Sequence, residues 1–220
     1  MQDPGALLAI RELDPRPGEN ILDFCAAPGG KTTYIAQLMN NAGQVVASDV
    51  SAERLKRVQE NCARLGATCV EARLGRVDGR WLMVDSGADH KPSTLNHQPP
   101  RLGEESGVRA FDRILVDAPC SNTGVMRRRV DLRWRIRPEE IERLRATLLK
   151  LLGQAATLVR PGGVLVYSTC SLELEENSEV IKQFLGEHAE FKLERERELL
   201  PFADGVDGAY VARLKRVNTG

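Results

Sequence analysis

A change of hydrophobic period, repeated through the first third of this chain, constrains its fold more than any other feature. Asn20 to Phe24 (NILDF) is a short apolar run behind Pro17-Gly18, the pattern of a buried strand after a turn. Thr32 to Asn40 then places Ile35, Leu38 and Met39 at helical spacing. Gln44 to Ser48 (QVVAS) returns to strand, Ser51 to Leu65 is a helix with Ser51 as its N-cap, and Ala67 to Ala72 supplies a third strand. Strands separated by crossover helices pair in parallel, so β-α-β-α-β predicts an α/β fold with helices on both faces of a parallel sheet. With 42% hydrophobic and 28% charged residues, 220 residues can fill such a core, which excludes a disordered chain.

The rhythm breaks at Asp85 to Arg109, a polar stretch with three prolines and two histidines, expected to be a long, mobile surface loop. His90 and His97, seven residues apart in it, read as solvated rather than as metal ligands. Order resumes with a strand at Phe111 to Asp117 and a long amphipathic helix from Pro138 towards Val159. After Pro161-Gly162-Gly163 come a strand at Val164 to Tyr167, a helix over Leu174 to Leu185, and closing strands around Phe191 to Leu193 and Gly208 to Leu214. No internal repeat interrupts this series.

Several function classes are excluded early. Five scattered cysteines, an odd number without a CxxC pair, argue against a disulfide framework or structural zinc, so no metal is expected. No apolar run approaches the roughly 20 residues that span a bilayer, and Met1 to Gly18 has no leader pattern, so a soluble intracellular protein with no membrane partner is expected. Thirty-one basic residues balance thirty-one acidic ones, so any nucleic-acid surface must be a local patch.

The segment Cys25, Ala26, Ala27, Pro28, Gly29, Gly30, Lys31 joins a strand ending to a helix start, where backbone N–H groups converge on a ligand. It is not a phosphate loop: Gly30-Lys31-Thr32 fits the end of that motif, but its required first glycine is Cys25. The dinucleotide GxGxxG pattern fails as well. Asp49 closes the second strand twenty residues after Gly29, where a carboxylate accepts hydrogen bonds from both hydroxyls of a ribose. A nucleoside without phosphates on a parallel sheet suggests S-adenosylmethionine, with Lys31 pairing its methionine carboxylate and Arg54 in the same binding set. Cys120 and Cys170 each follow a strand end with small polar neighbours, so both thiols are expected to face one cleft beside the cofactor. Cys62 and Cys69 read as core filler, with Cys25 undecided.

The segments LDFCAAPGGKT (Leu22 to Thr32), DAPCSNTG (Asp117 to Gly124) and VYSTCSLELEEN (Val166 to Asn177) resemble the signatures of the RNA 5-methylcytosine methyltransferases, the family of the bacterial Fmu/Sun-type ribosomal RNA enzymes and the eukaryotic Sun-domain enzymes. The opening QDPGALLA (Gln2 to Ala9) and the closing DGVDGAYVARL (Asp204 to Leu214) resemble the bacterial ribosomal branch, so the likeness covers nearly the whole chain. It implies a Rossmann-like S-adenosylmethionine-dependent methyltransferase fold, a mostly parallel seven-stranded sheet with helices on both faces, as one catalytic domain over 1–220. Asn122 stands where the family usually has glycine, a departure that touches the local turn but none of the reactive groups. The RNA-binding domains that bacterial relatives carry upstream are not in this sequence, so such domains or a partner subunit would supply further contacts.

The resemblance implies a division of labour. Carbon 5 of cytosine is a poor nucleophile until a thiolate adds to carbon 6. The family's pattern gives that nucleophile to Cys170 and gives Cys120 the later loss of the carbon 5 proton and release of the enzyme. Asp117 would bind the cytosine edge and border the cofactor, and Asp78 would contact the adenine amine. The base must be unpaired or flipped out of its helix. Arg127, Arg128, Arg129 and Arg133, with Trp134 as a stacking surface, would form the basic patch that grips RNA phosphates, joined by Arg135 and Arg137. Ribosomal RNA is the expected substrate and the cytoplasm the expected compartment of a bacterial enzyme. Transfer RNA methylation by the same chemistry and a non-catalytic RNA-binding scaffold are the alternatives; DNA methylation fits less well, because those enzymes attack through the Pro-Cys cysteine.

Overall fold

The structure, a computed structural model, describes residues 4–75, 81–83, 110–134 and 136–217. The region expected to form the mobile loop, with His90 and His97, lies outside these residues, as do Asp78 and Arg135.

The strands are β1 (Asn20–Asp23), β2 (Gln44–Asp49), β3 (Val70–Gly75), β4 (Trp81–Met83), β5 (Phe111–Asp117), β6 (Val159–Thr169), β7 (Phe191–Leu199) and β8 (Ala209–Arg216). Among the described residues they form one sheet in the order β4-β3-β2-β1-β5-β6-β8-β7. Pairings from β3 through β6 are parallel, whereas β8 runs antiparallel to both β6 and β7. The expected mostly parallel seven-stranded sheet is therefore present, extended at one edge by the three-residue antiparallel β4.

Period-2 alternation decides which residues face which layer. Leu22, Ile114, Val116, Leu165, Tyr167, Ala212 and Leu214 point to one side, where α4 (Pro138–Leu158) and α5 (Ser178–Glu187) contribute Leu148, Leu152, Val180 and Phe184. Ile21, Val45, Leu115, Val164, Val166 and Val211 point to the other, against Ile10 and Leu13 of α1 (Pro4–Leu13) and Ile35 of α2 (Gly30–Leu38). On that second face α3 (Ala52–Leu65) buries Leu55, Val58 and Cys62 along one helical stripe. Its ends are set locally: the Ser51 hydroxyl accepts from the Arg54 N–H at 3.3 Å, and Gly66 closes it with a left-handed φ of 66°. Helix α4 begins with Pro138 and carries Glu139 and Glu140 in its first turn, where negative charge is favourable.

The edge strand β7 (FKLEREREL) is exposed along its length except at Phe191 and Leu199. Its run of opposite charges keeps the open edge from pairing with another chain.

Candidate active site

Strands β1, β2, β5 and β6 end side by side, with Asp23, Asp49, Asp117 and Thr169 as their last residues. The chain runs outward from β1 to β3 and returns on the other side of β1 with β5, so the sheet reverses its winding between β1 and β5. Such a switch point opens a crevice above the strand ends, and the three signature loops all issue from it.

The first loop turns tightly. Gly29 has φ 99° immediately before α2, and a Cβ there would lie 3.0 Å from the Val58 backbone, so both conformation and close approach to α3 require glycine. Arg54 spans the gap: Nη2 donates to the Ala27 carbonyl at 3.0 Å while Nη1 lies 3.2 Å from the buried Asp49 carboxylate. Asp49 also accepts the Ser51 N–H at 3.0 Å. Asp23 is buried beneath the loop. Thr32 donates to one carboxyl oxygen at 2.6 Å, and the other has no hydrogen-bond partner among the described residues. Burial pushes the Asp23 carboxyl up to about 7, against the Thr32 hydrogen bond and Lys31.

Asp117 ties the first loop to β6. Lys31 Nζ reaches one of its oxygens at 2.6 Å, and Ser168 Oγ donates to the other at 2.7 Å. Burial pulls the Lys31 ammonium down, but the charge and hydrogen bond of Asp117 outweigh it and hold Lys31 above its ordinary value.

The Pro-Cys and Thr-Cys loops are laced together, which brings Cys120 and Cys170 to 3.4 Å between sulfurs. The fully buried Glu176 accepts both the backbone N–H (2.9 Å) and hydroxyl (2.5 Å) of Ser121. Ser171 Oγ lies 3.2 Å from Ser121 Oγ and from Thr123 Oγ1, and Gly124 N–H donates to the Cys170 carbonyl at 3.0 Å. The third participant is the start of β8: Gly208 N–H donates to the Gly124 carbonyl at 2.9 Å, where a Cβ on Gly124 would lie 2.5 Å from the Gly208 oxygen.

The two thiols are pushed apart in acidity. The hydrogen bond from Cys120 lowers Cys170 despite burial and Asp117, with Lys31 assisting, whereas that same bond and then burial raise Cys120 well above an ordinary thiol. A pair of this kind can present one thiolate and one protonated partner. Burial, then the surrounding Asp117, Asp23 and Asp49, raises Cys25; burial raises Cys62 to about 11 and also raises Cys69. None of these three is activated.

The arginine segment lies beside the Cys120 loop. Arg129, Arg133 and Trp134 are exposed, Trp134 at 86%. Arg127 and Arg128 have a second attachment that the sequence did not suggest: they pair at 3.1 Å and 2.9 Å with the buried Asp207, though their side chains stay 61% and 57% exposed. Asp207, Glu176 and Ser168 are the site residues sequence reasoning missed. Glu176 lies inside the quoted VYSTCSLELEEN and Asp207 inside DGVDGAYVARL, so location was visible but the role of each carboxylate was not. Asn122, in the local turn after Cys120, adds a contact of its own: its side chain meets the Cys170 sulfur. Among the described residues no group of three or more His, Cys, Asp or Glu is placed to hold a metal ion, and no helix is long and apolar enough to cross a membrane.

Sheet order and crevice together are those of the Rossmann-like fold of S-adenosylmethionine-dependent methyltransferases. A putative rRNA methylase from Clostridium thermocellum, 13% identical, shares that fold over 100% of this chain and 99% of its own with a TM-score of 0.58. Closer likeness fixes the family. The model for "16S rRNA methyltransferase RsmB/F" matches residues 10–215, and the chain belongs to that family. It is 36% identical to the probable ribosomal RNA small subunit methyltransferase B of Bacillus subtilis, covering 98% of this chain and 47% of that one. It is 41% identical to ribosomal RNA small subunit methyltransferase B of Erwinia tasmaniensis, covering 97% and 46%. Among solved structures, NSun6 from Pyrococcus horikoshii with SFG, an S-adenosylmethionine analogue, is 30% identical with a TM-score of 0.79 over 99% of this chain and 53% of that one. The chain spans about half the length of the curated relatives it matches.

Proposed function

We propose that this chain is a single catalytic unit that methylates carbon 5 of cytosine in RNA, with small-subunit ribosomal RNA as its substrate class, through a covalent adduct on Cys170. The observation that carries the reading is the 3.4 Å meeting of two thiols of divergent acidity at the ends of β5 and β6. One cysteine suffices to form an adduct; a second beside it answers the need to break it. The relatives' names support ribosomal RNA as the substrate class, and that reading carries with it the cytoplasm of a bacterium as the compartment.

The crevice fits S-adenosylmethionine. Asp49 offers a buried carboxylate to ribose hydroxyls, Gly29 lets the loop turn tightly against α3, and Lys31 and Asp23 supply polar groups at the strand ends. When bound, the cofactor supplies the methyl group. Cys170, as thiolate, adds to carbon 6 of an unpaired or flipped-out cytosine and makes carbon 5 electron-rich. Asp117 hydrogen-bonds the cytosine edge, and Lys31 holds that carboxylate in place. Cys120 assists loss of the carbon 5 proton, after which the Cys170 bond to carbon 6 breaks and the base departs. Arg129, Arg133 and Trp134 face RNA, with Arg127 and Arg128 sharing their charge between Asp207 and phosphate. Asp78 remains proposed as the contact to the adenine amine, and upstream domains or a partner subunit as the source of further RNA contacts.

The test uses RNA containing the target cytosine together with cofactor. Cys120→Ala accumulates a denaturant-stable protein–RNA adduct, and Cys170→Ala gives neither adduct nor product. Trapping by Cys170→Ala instead reverses the two roles; undiminished methylation by both variants overturns the mechanism.

A further inference from the structure

Asn122 has φ 61°, in the left-handed region that glycine adopts freely and that asparagine tolerates better than most other residues. What glycine could not supply is the side chain. The amide nitrogen donates to the Cys120 carbonyl at 2.7 Å, and the amide oxygen accepts from Cys170 Sγ at 3.0 Å. A backbone carbonyl only accepts, so the NH2 group must face Cys120, and the oxygen is thereby directed at Cys170. Asn122 thus bridges the two cysteine loops through contacts additional to the one between the sulfurs.

We infer that Asn122 is a positioning residue for Cys170: its anchored amide oxygen holds the thiol proton and so fixes the direction in which the sulfur presents its lone pairs. The inference rests on the reading of Cys170 as nucleophile. An oxygen acceptor stabilises the thiol and opposes the thiolate, so Asn122 acts as a latch that restrains ionisation until the proton is drawn off. The other groups facing the sulfur are Cys120 and Lys31, which favour the thiolate, and Asp117, which opposes it. Asn122 carries no charge and does not titrate, so its contribution comes through the orientation of its amide.

Removing the amide while keeping the turn separates this role from a structural one. Asn122→Gly preserves a residue suited to φ 61°, and Asn122→Asp keeps the side-chain size while replacing the amide, its donor to Cys120 included, with an anionic carboxylate. The measurement is the pH dependence of iodoacetamide labelling at Cys170, read peptide by peptide in the whole chain without RNA. The half-point moves down by about half a pH unit or more in Asn122→Gly and up in Asn122→Asp. An unmoved or oppositely moved half-point in Asn122→Gly, with the thermal transition retained, overturns the inference; so does an unmoved one in Asn122→Asp. Labelling needs no turnover, so the outcomes are separable. Shifts as expected in a chain that forms no adduct with RNA leave the Asn122 contact standing and sink the proposed function.

Discussion

At the scale of single residues, the site sets buried acids and thiols against one another. Asp23 has the plainest consequence. Its folded-state carboxyl titrates at about 7, above its ordinary value of 3.8, so the folded chain binds a proton that the unfolded chain releases. Stability therefore falls as pH rises from about 4 to about 7 and is level above that. Asp23→Asn, which still offers Thr32 an acceptor, removes this slope: in thermal melts its advantage over the parent grows across that window and then stays constant. Glu176 tests the opposite case, a buried carboxyl with its donors in place. Glu176→Ala leaves the Ser121 N–H and hydroxyl without it and costs about 3 kcal/mol in denaturant unfolding, well beyond an exposed glutamate such as Glu139. Cys120, Cys170 and Asp117 stand out in the sequence because they are chemically distinctive residue types at strand ends, and the structure brings them to one crevice. The sequence concealed Asn122, Glu176 and Asp207, whose importance lies in which partner each side chain meets across dozens of intervening residues.

At the scale of elements, boundaries followed local chemistry where a cap or turn fixed them and drifted where pairing decided. Helix α3 begins after Ser51 and ends before Gly66, as the capping residues indicate. Strand β3 instead runs from Val70 to Gly75, three residues later than its apolar run suggests, because its register is set by pairing Val45 with Val70 on β2. Strand β7 continues to Leu199 through charged residues that hydrophobic patterning alone reads as loop, since only its pairing with β8 makes it a strand. Helix α1 escaped notice at the sequence level; its residues Ile10 and Leu13 cover the face of the sheet carrying Leu115, Val164 and Val211. The junction of Gly124 with Gly208 is the most exacting contact between elements. Gly124→Ala places a methyl group on backbone that cannot retreat without separating β8 from the Cys120 loop. A lowered melting temperature together with loss of adduct formation is expected, whereas Gly186→Ala, within helix α5 and meeting nothing within 4 Å, raises the melting temperature slightly and leaves adduct formation unchanged.

At the scale of the whole molecule, the parallel sheet was legible because strand and helix periods alternate so regularly, and the position of the crevice followed from that order. Behind the net charge of zero, exposed Arg129 and Arg133 sit in the segment that follows the Cys120 loop. Binding of S-adenosylmethionine at about 100 times its Kd stabilises the fold by about 2.7 kcal/mol, or roughly 5–10 °C in melting temperature. NAD and ATP give no such rise, and Asp49→Ala abolishes the response to the cofactor. The link between β8 and the Cys120 loop also gives the chain an order of events during its synthesis. Cys120 and Cys170 leave the ribosome well before Gly208, yet the carbonyl of Gly124 finds its partner, and Arg127 and Arg128 find Asp207, only once that last strand has been made. A nascent chain halted short of Asp207 therefore carries both cysteines without the strand that braces the Cys120 loop, and the 3.4 Å meeting of the two sulfurs is expected to wait on β8.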